Sequence, residues 1–92
     1  MAKITLFEHR DYGGRRLTLF TEDPNLALSN FNDITSSIIV GADSWHLYKD
    51  RDFGGTRWAV HDRGGPNNDG FYPEPKYWDG ENDAITSVKP VK

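Results

Sequence analysis

Along this chain, apolar and polar positions alternate in short runs. Residues 3–7, KITLF, alternate and end on an aromatic, and 15–20, RRLTLF, alternate as well. WHLY at 45–48 and RWAV at 57–60 follow the same period of two, while SSIIV and TSVKPV close the two halves. A two-residue period places one face of each run in a core and the other toward water, the pattern of half-buried strands. Glycine-rich breaks recur every eight to twelve residues or so, and no long helical period appears, which predicts an all-β sandwich or barrel. DPNLALSNF allows one short helical turn after Pro24. Residues 64–83 read as a long loop, and Gly41–Ser44 as the junction between halves.

The chain also repeats itself. FEHRDYGGRR at 7–16 aligns with YKDRDFGGTR at 48–57, an offset of 41. NDITSS at 32–37 aligns with NDAITS at 82–87, an offset of 50, so the second half carries nine extra residues. These are expected in the 64–79 stretch. Two repeats of about 40 residues are too few for a solenoid. They suit two intertwined Greek keys sharing one core, about 3–41 and 44–90, in a single domain over residues 1–92.

Each repeat has its own chemistry. Phe7 and Tyr12, like Tyr48 and Phe53, stand five residues apart, with Gly14 and Gly55 just after. A strand folded back sharply needs a positive φ, which glycine adopts without steric cost. The paired aromatics can then stack across the fold. In the hexapeptides, Asn32, Asp33, Ser36 and Ser37 supply side-chain oxygens, as do Asn82, Asp83, Thr86 and Ser87. Calcium takes six to eight or so oxygens, and one hexapeptide is too short to surround it. Ligands from the other half would complete the shell, which gives a reason for the duplication. In isolation such a hexapeptide would more often only satisfy turn backbone. Its repetition in phase with the hairpins favours the metal.

These hairpins and hexapeptides together resemble a microbial βγ-crystallin domain, over about residues 3–89. The resemblance implies a β-sandwich of two Greek keys that binds two calcium ions. It implies a first site with the Ile34 and Glu8 carbonyls and the Ser36 hydroxyl, plus a side chain crossing from Asn82 or Asp83. The second site would take the Ala84 and Lys49 carbonyls, the Thr86 hydroxyl and a crossing side chain from Asn32 or Asp33. Asp33 and Asp83 are the favoured crossing ligands because they bring charge. Ser37 and Ser87 are implied as structural residues that pin the hairpins. Lys49 replaces Glu8 at the equivalent hairpin position, and its ammonium would lower the field for a cation, so the second site is expected to be the weaker. With about one carboxylate per site, binding is expected in the micromolar to sub-millimolar range.

Composition narrows the rest. There are no cysteines, so no disulfide and no thiolate site. A net charge of −3 argues against nucleic acid. No apolar run approaches a membrane span, no signal peptide is visible, and a monomer is expected. Localisation stays open between secreted and cytoplasmic. No EF-hand loop occurs, and GGPNNDGFY echoes a β-roll nonapeptide only once. His9, His46 and His61 lack metal spacing, nothing singles out Glu74 and Asp79 as a glycosidase pair, and no nucleophile or phosphate motif appears, so no enzyme is expected. Trp45, Trp58 and Trp78 read as core or corner residues. The alternative function is a calcium-stabilised carbohydrate-binding module, with Phe71, Tyr72, Tyr77 and Trp78 as a stacking platform.

Overall fold

In a computed structural model, which describes residues 2–80 and 84–91, the chain forms two antiparallel sheets packed face to face. The strands are β1 (Lys3–His9), β2 (Gly13–Leu19), β3 (Ser37–Ala42), β4 (Ser44–Asp50), β5 (Gly54–His61), β6 (Phe71–Tyr72) and β7 (Ser87–Val91). Three 3-10 turns, at Arg10–Tyr12, Leu26–Ser29 and Pro75–Trp78, interrupt them. One sheet has the order β2-β1-β3-β6 and the other β5-β4-β7.

The alternation sets which residues face inward. Ile4 and Leu6 of β1, Ile38 and Val40 of β3, Trp45 and Leu47 of β4, Trp58 and Val60 of β5 and Val88 of β7 form one cluster between the sheets. Each such side chain removed from water contributes about 1.5–3 kcal/mol. All three tryptophans are buried in it. The turn after Pro24 contributes Leu26 to the core, and its first residue is capped by Asn25, whose side chain accepts the Ala27 N–H.

The two halves exchange segments. β6 belongs to the second half but pairs with β3 of the first, with Ile38 opposite Tyr72 and Ile39 opposite Phe71. Asp23 of the first half bridges to Val88 of β7. This is the intertwined Greek-key sandwich expected from the repeats.

The stretch read as a loop over 64–83 needs correction, because β6 and the Pro75–Trp78 turn lie inside it. A two-residue strand is too short to show alternation, and flanking prolines masked it. Equivalent positions stand 41 apart at Gly13 and Gly54 but 49 apart at Leu26 and Pro75. Most of the extra length therefore falls between the start of β5 and that turn.

One repeat position is chemically mismatched. Thr35 is fully buried, and its hydroxyl has no hydrogen-bond partner among the described residues. Its equivalent in the second hexapeptide is Ile85, equally buried and apolar. A buried hydroxyl without a partner costs about 1–3 kcal/mol. Thr35→Val keeps the shape and removes that cost. It should raise stability by about 1 kcal/mol and Tm by about 4–8 °C. A thermal melt of the variant checks this, and a lower Tm would mean that the hydroxyl is satisfied.

Candidate metal centre

Each hairpin folds back on itself through a run of left-handed residues. Asp11, Tyr12 and Gly14 have φ of 54°, 65° and 74°, and Asp52, Phe53 and Gly55 have 56°, 61° and 74°. A Cβ on Gly14 would sit 2.5 Å from His9 Cδ2, and one on Gly55 2.5 Å from Asp50 Oδ2. Gly13, by contrast, has an extended backbone. The left-handed Asp–aromatic pairs were not legible in the sequence, since neither an aspartate nor an aromatic announces that conformation as glycine does.

What holds these folds is the last residue of each hexapeptide. Ser37 Oγ accepts the Tyr12 N–H at 2.9 Å and donates to the His9 carbonyl at 2.6 Å. Ser87 Oγ accepts the Phe53 N–H at 3.1 Å and donates to the Asp50 carbonyl at 2.6 Å. Both serines are fully buried. The aromatics then meet edge to face, with centroids 5.6 Å apart in both Phe7–Tyr12 and Tyr48–Phe53.

The fifth hexapeptide residue docks beside its hairpin in the same way twice. The Ser36 N–H donates to the Phe7 carbonyl and the Thr86 N–H to the Tyr48 carbonyl, each at 2.9 Å. That brings Glu8 and Lys49, the next residues along, against Ser36 and Thr86. The Glu8 side chain turns to Arg15, accepting its backbone N–H at 3.2 Å. That hydrogen bond holds the Glu8 carboxyl below the usual range, against the opposing effect of desolvation.

The halves also meet across the hexapeptides. Asp33 is left-handed, with φ 56°, and its N–H donates to the Ile85 carbonyl at 3.1 Å. The Thr86 hydroxyl donates to Asp33 Oδ1 at 3.2 Å, although 53 residues separate them. Asn32 Nδ2 donates to Asp33 Oδ2 at 3.2 Å, while Asn32 Oδ1 is buried with no donor among the described residues. Ile34 is half-buried against the core and Ala84 is buried. Asn82 and Asp83 lie outside the described residues. Among the described residues, no three His, Asp or Glu side chains converge on one point. A cation here would thus be held by hydroxyl, amide and carbonyl oxygens with a single carboxylate. Such a hard, all-oxygen set fits calcium rather than a softer metal.

The stacking platform is not assembled. Tyr72 and Trp78 are only 2% and 4% exposed and meet edge to face in the core. Phe71, more exposed, packs on Tyr12 at 5.5 Å, while Tyr77 lies under the Lys76 ammonium. Two of the four rings are thus part of the fold rather than of a surface.

The family model for beta/gamma crystallin matches residues 3–91. The chain belongs to the beta/gamma crystallin family. It is 39% identical over 89 residues to a beta/gamma-crystallin of Ciona intestinalis, covering 97% of this chain and 98% of that protein. The solved beta gamma crystallin from Ciona intestinalis superposes with a TM-score of 0.86, at 38% identity, over 97% of this chain and 99% of that one. Gamma-crystallin N-A of Danio rerio is 32% identical over 98% of this chain, which spans about half of that relative, 45% of its length. A βγ-crystallin from an archaeon, 24% identical, shares the fold with a TM-score of 0.85 over 98% of each chain. Among the described residues no helix is long and apolar enough to cross a membrane.

Replacing Ser37 or Ser87 by Ala would leave a partly buried N–H and carbonyl without their serine partner in one hairpin. Each change should cost about 1–2 kcal/mol, lowering Tm by roughly 5–10 °C. Thermal melts of both variants check this, with similar losses expected because the two networks match.

Proposed function

We propose that this crystallin domain is a structural, non-enzymatic module that binds two calcium ions, and that calcium stabilises its native state. The observation that carries the reading is the cross-half contact between Asp33 Oδ1 and the Thr86 hydroxyl at 3.2 Å. A carboxylate of one half and a hydroxyl of the other already share a small volume there, beside the Tyr48 carbonyl that fixes Thr86. The buried Asn32 Oδ1 adds an acceptor that lacks a donor among the described residues, an arrangement a cation or an ordered water would satisfy.

In the second site, Thr86, Asp33 and the Ala84 and Lys49 carbonyls would hold the ion. In the first, Ser36, the Ile34 and Glu8 carbonyls and one of Asn82 or Asp83 would do so. When bound, calcium supplies a divalent charge that cross-links segments from both halves. Unfolding separates those segments, so the ion favours the native state by RT ln(1 + [L]/Kd), about 2.7 kcal/mol at a hundredfold excess. That is a large share of the stability of a small domain without disulfides.

Calcium calorimetry with thermal melts in calcium and in EDTA tests the reading. Tm should rise by about 10 °C in calcium. Heat of binding should disappear for one site in Ser36→Arg and for the other in Thr86→Arg, with the tighter phase lost in the Ser36 variant. An unchanged Tm with no heat overturns the reading. Loss of the tighter phase in the Thr86 variant overturns only the ranking of the sites by the Lys49 charge.

A further inference from the structure

Arg15 makes a three-part contact that has no counterpart in the other half. Its backbone N–H donates to Glu8 Oε1 at 3.2 Å, and its Nη2 lies 3.6 Å from Glu8 Oε2. Its guanidinium carbon lies 5.7 Å from the centroid of the Phe31 ring, within the range of a cation–π contact. Phe31 is buried, its N–H donates to the Leu26 carbonyl at 2.9 Å, and it directly precedes Asn32 and Asp33. A carboxylate on the hairpin thus holds a cation over the ring from which the crossing pair departs. The equivalents of Arg15 and Phe31 in the second half are Thr56 and Glu81, which offer neither cation nor ring.

We propose that Arg15 is a positioning residue for the site centred on Thr86, holding Asn32 and Asp33 in their crossing position through Phe31. The inference rests on the calcium reading above. Asp33 keeps a left-handed backbone, uncommon outside glycine, so its surroundings must hold it there. Two contacts at the far end do so directly, the Asp33 N–H to the Ile85 carbonyl and the Thr86 hydroxyl to Oδ1. The Arg15–Phe31 contact anchors the near end. Releasing it leaves the ligands in place but lets the segment sample other conformations, which binding must then order. Outer partners of metal ligands act in this way, and losing one typically weakens binding about 10–100-fold. Asn32 and Asp33 directly follow Phe31, whereas Ser36 is docked separately on the Phe7 carbonyl, so loss of the clamp should fall more heavily on the Thr86 site although Glu8 adjoins the first.

An NMR calcium titration of Arg15→Gln reads the sites separately through the Ser36 and Thr86 amide signals. Affinity reported by Thr86 should fall about 10-fold and that reported by Ser36 less than about twofold, with Arg15→Lys retaining most of the affinity. In calcium-free protein, exchange of the Asp33 amide should quicken in Arg15→Gln, while that of Asp52, bonded to the Pro24 carbonyl at 2.7 Å, should not change. Equal losses at both sites, or none, overturn the assignment to Arg15, as does an unaltered Asp33 exchange rate. Absence of any calcium response in the unmutated protein overturns the calcium reading and this proposal with it. A normal response there with no Arg15 effect overturns this proposal alone.

Discussion

Two strand pairings tie the halves of this sandwich into one object: Ile38–Ile39 with Phe71–Tyr72, and Asp23 with Val88. Each takes a segment from one half and sets it against the sheet of the other. Two further hydrogen bonds repeat the exchange at the hairpin tips. The Asp11 N–H donates to the Pro73 carbonyl at 3.1 Å, and the Asp52 N–H to the Pro24 carbonyl at 2.7 Å. Each hairpin is thus pinned from inside its own half by a serine and from outside by a proline carbonyl of the other. Neither half can complete its sheet, bury its core or satisfy its hairpin backbone alone.

The candidate metal centre follows from that exchange. The segment that leaves the first sheet near Asp23 runs along residues 85–88 before it returns as β3. On the way, Leu26 and Asp33 donate to the Thr86 and Ile85 carbonyls. The hexapeptide must therefore pass its partner, and a carboxylate at its second position reaches the hydroxyl at the partner's fifth. Fold and site share one cause. In both hexapeptides the serine at position six fixes the hairpin and the residue at position five docks on it, and in the first the aspartate at position two reaches across.

Much of this was legible in the sequence. Alternation located four of the six longer strands, SSIIV and TSVKPV marked the other two, and the duplicated hairpins and hexapeptides pointed to the Greek keys and the pairing of the halves. Charge favours Asp33 over Asn32 as the crossing residue without separating the two, and in the structure the Asp33 carboxylate accepts the Thr86 hydroxyl. Other features left no local signal. β6 has two residues, too few for a period, and is a strand only because β3 offers an edge. The left-handed Asp11–Tyr12 and Asp52–Phe53 pairs are imposed by Ser37 and Ser87, from 25 and 34 residues away for the aromatic amides. Burial of Tyr72 and Trp78 is equally a tertiary result, since a loop rich in aromatics, glycine and proline suggests a surface platform until its rings are seen in the core. Nothing in the sequence sets Arg15 apart from the other arginines, and only the fold places Glu8 and Phe31 around it.

Each proposed calcium site is shared between the halves. A crystal structure of the calcium-loaded protein tests it most directly. One ion should touch both Asp33 and the Thr86 hydroxyl, and a second should touch Ser36 together with a side chain from Asn82 or Asp83. Ions held wholly within one half, or no ion near either hexapeptide, would contradict it.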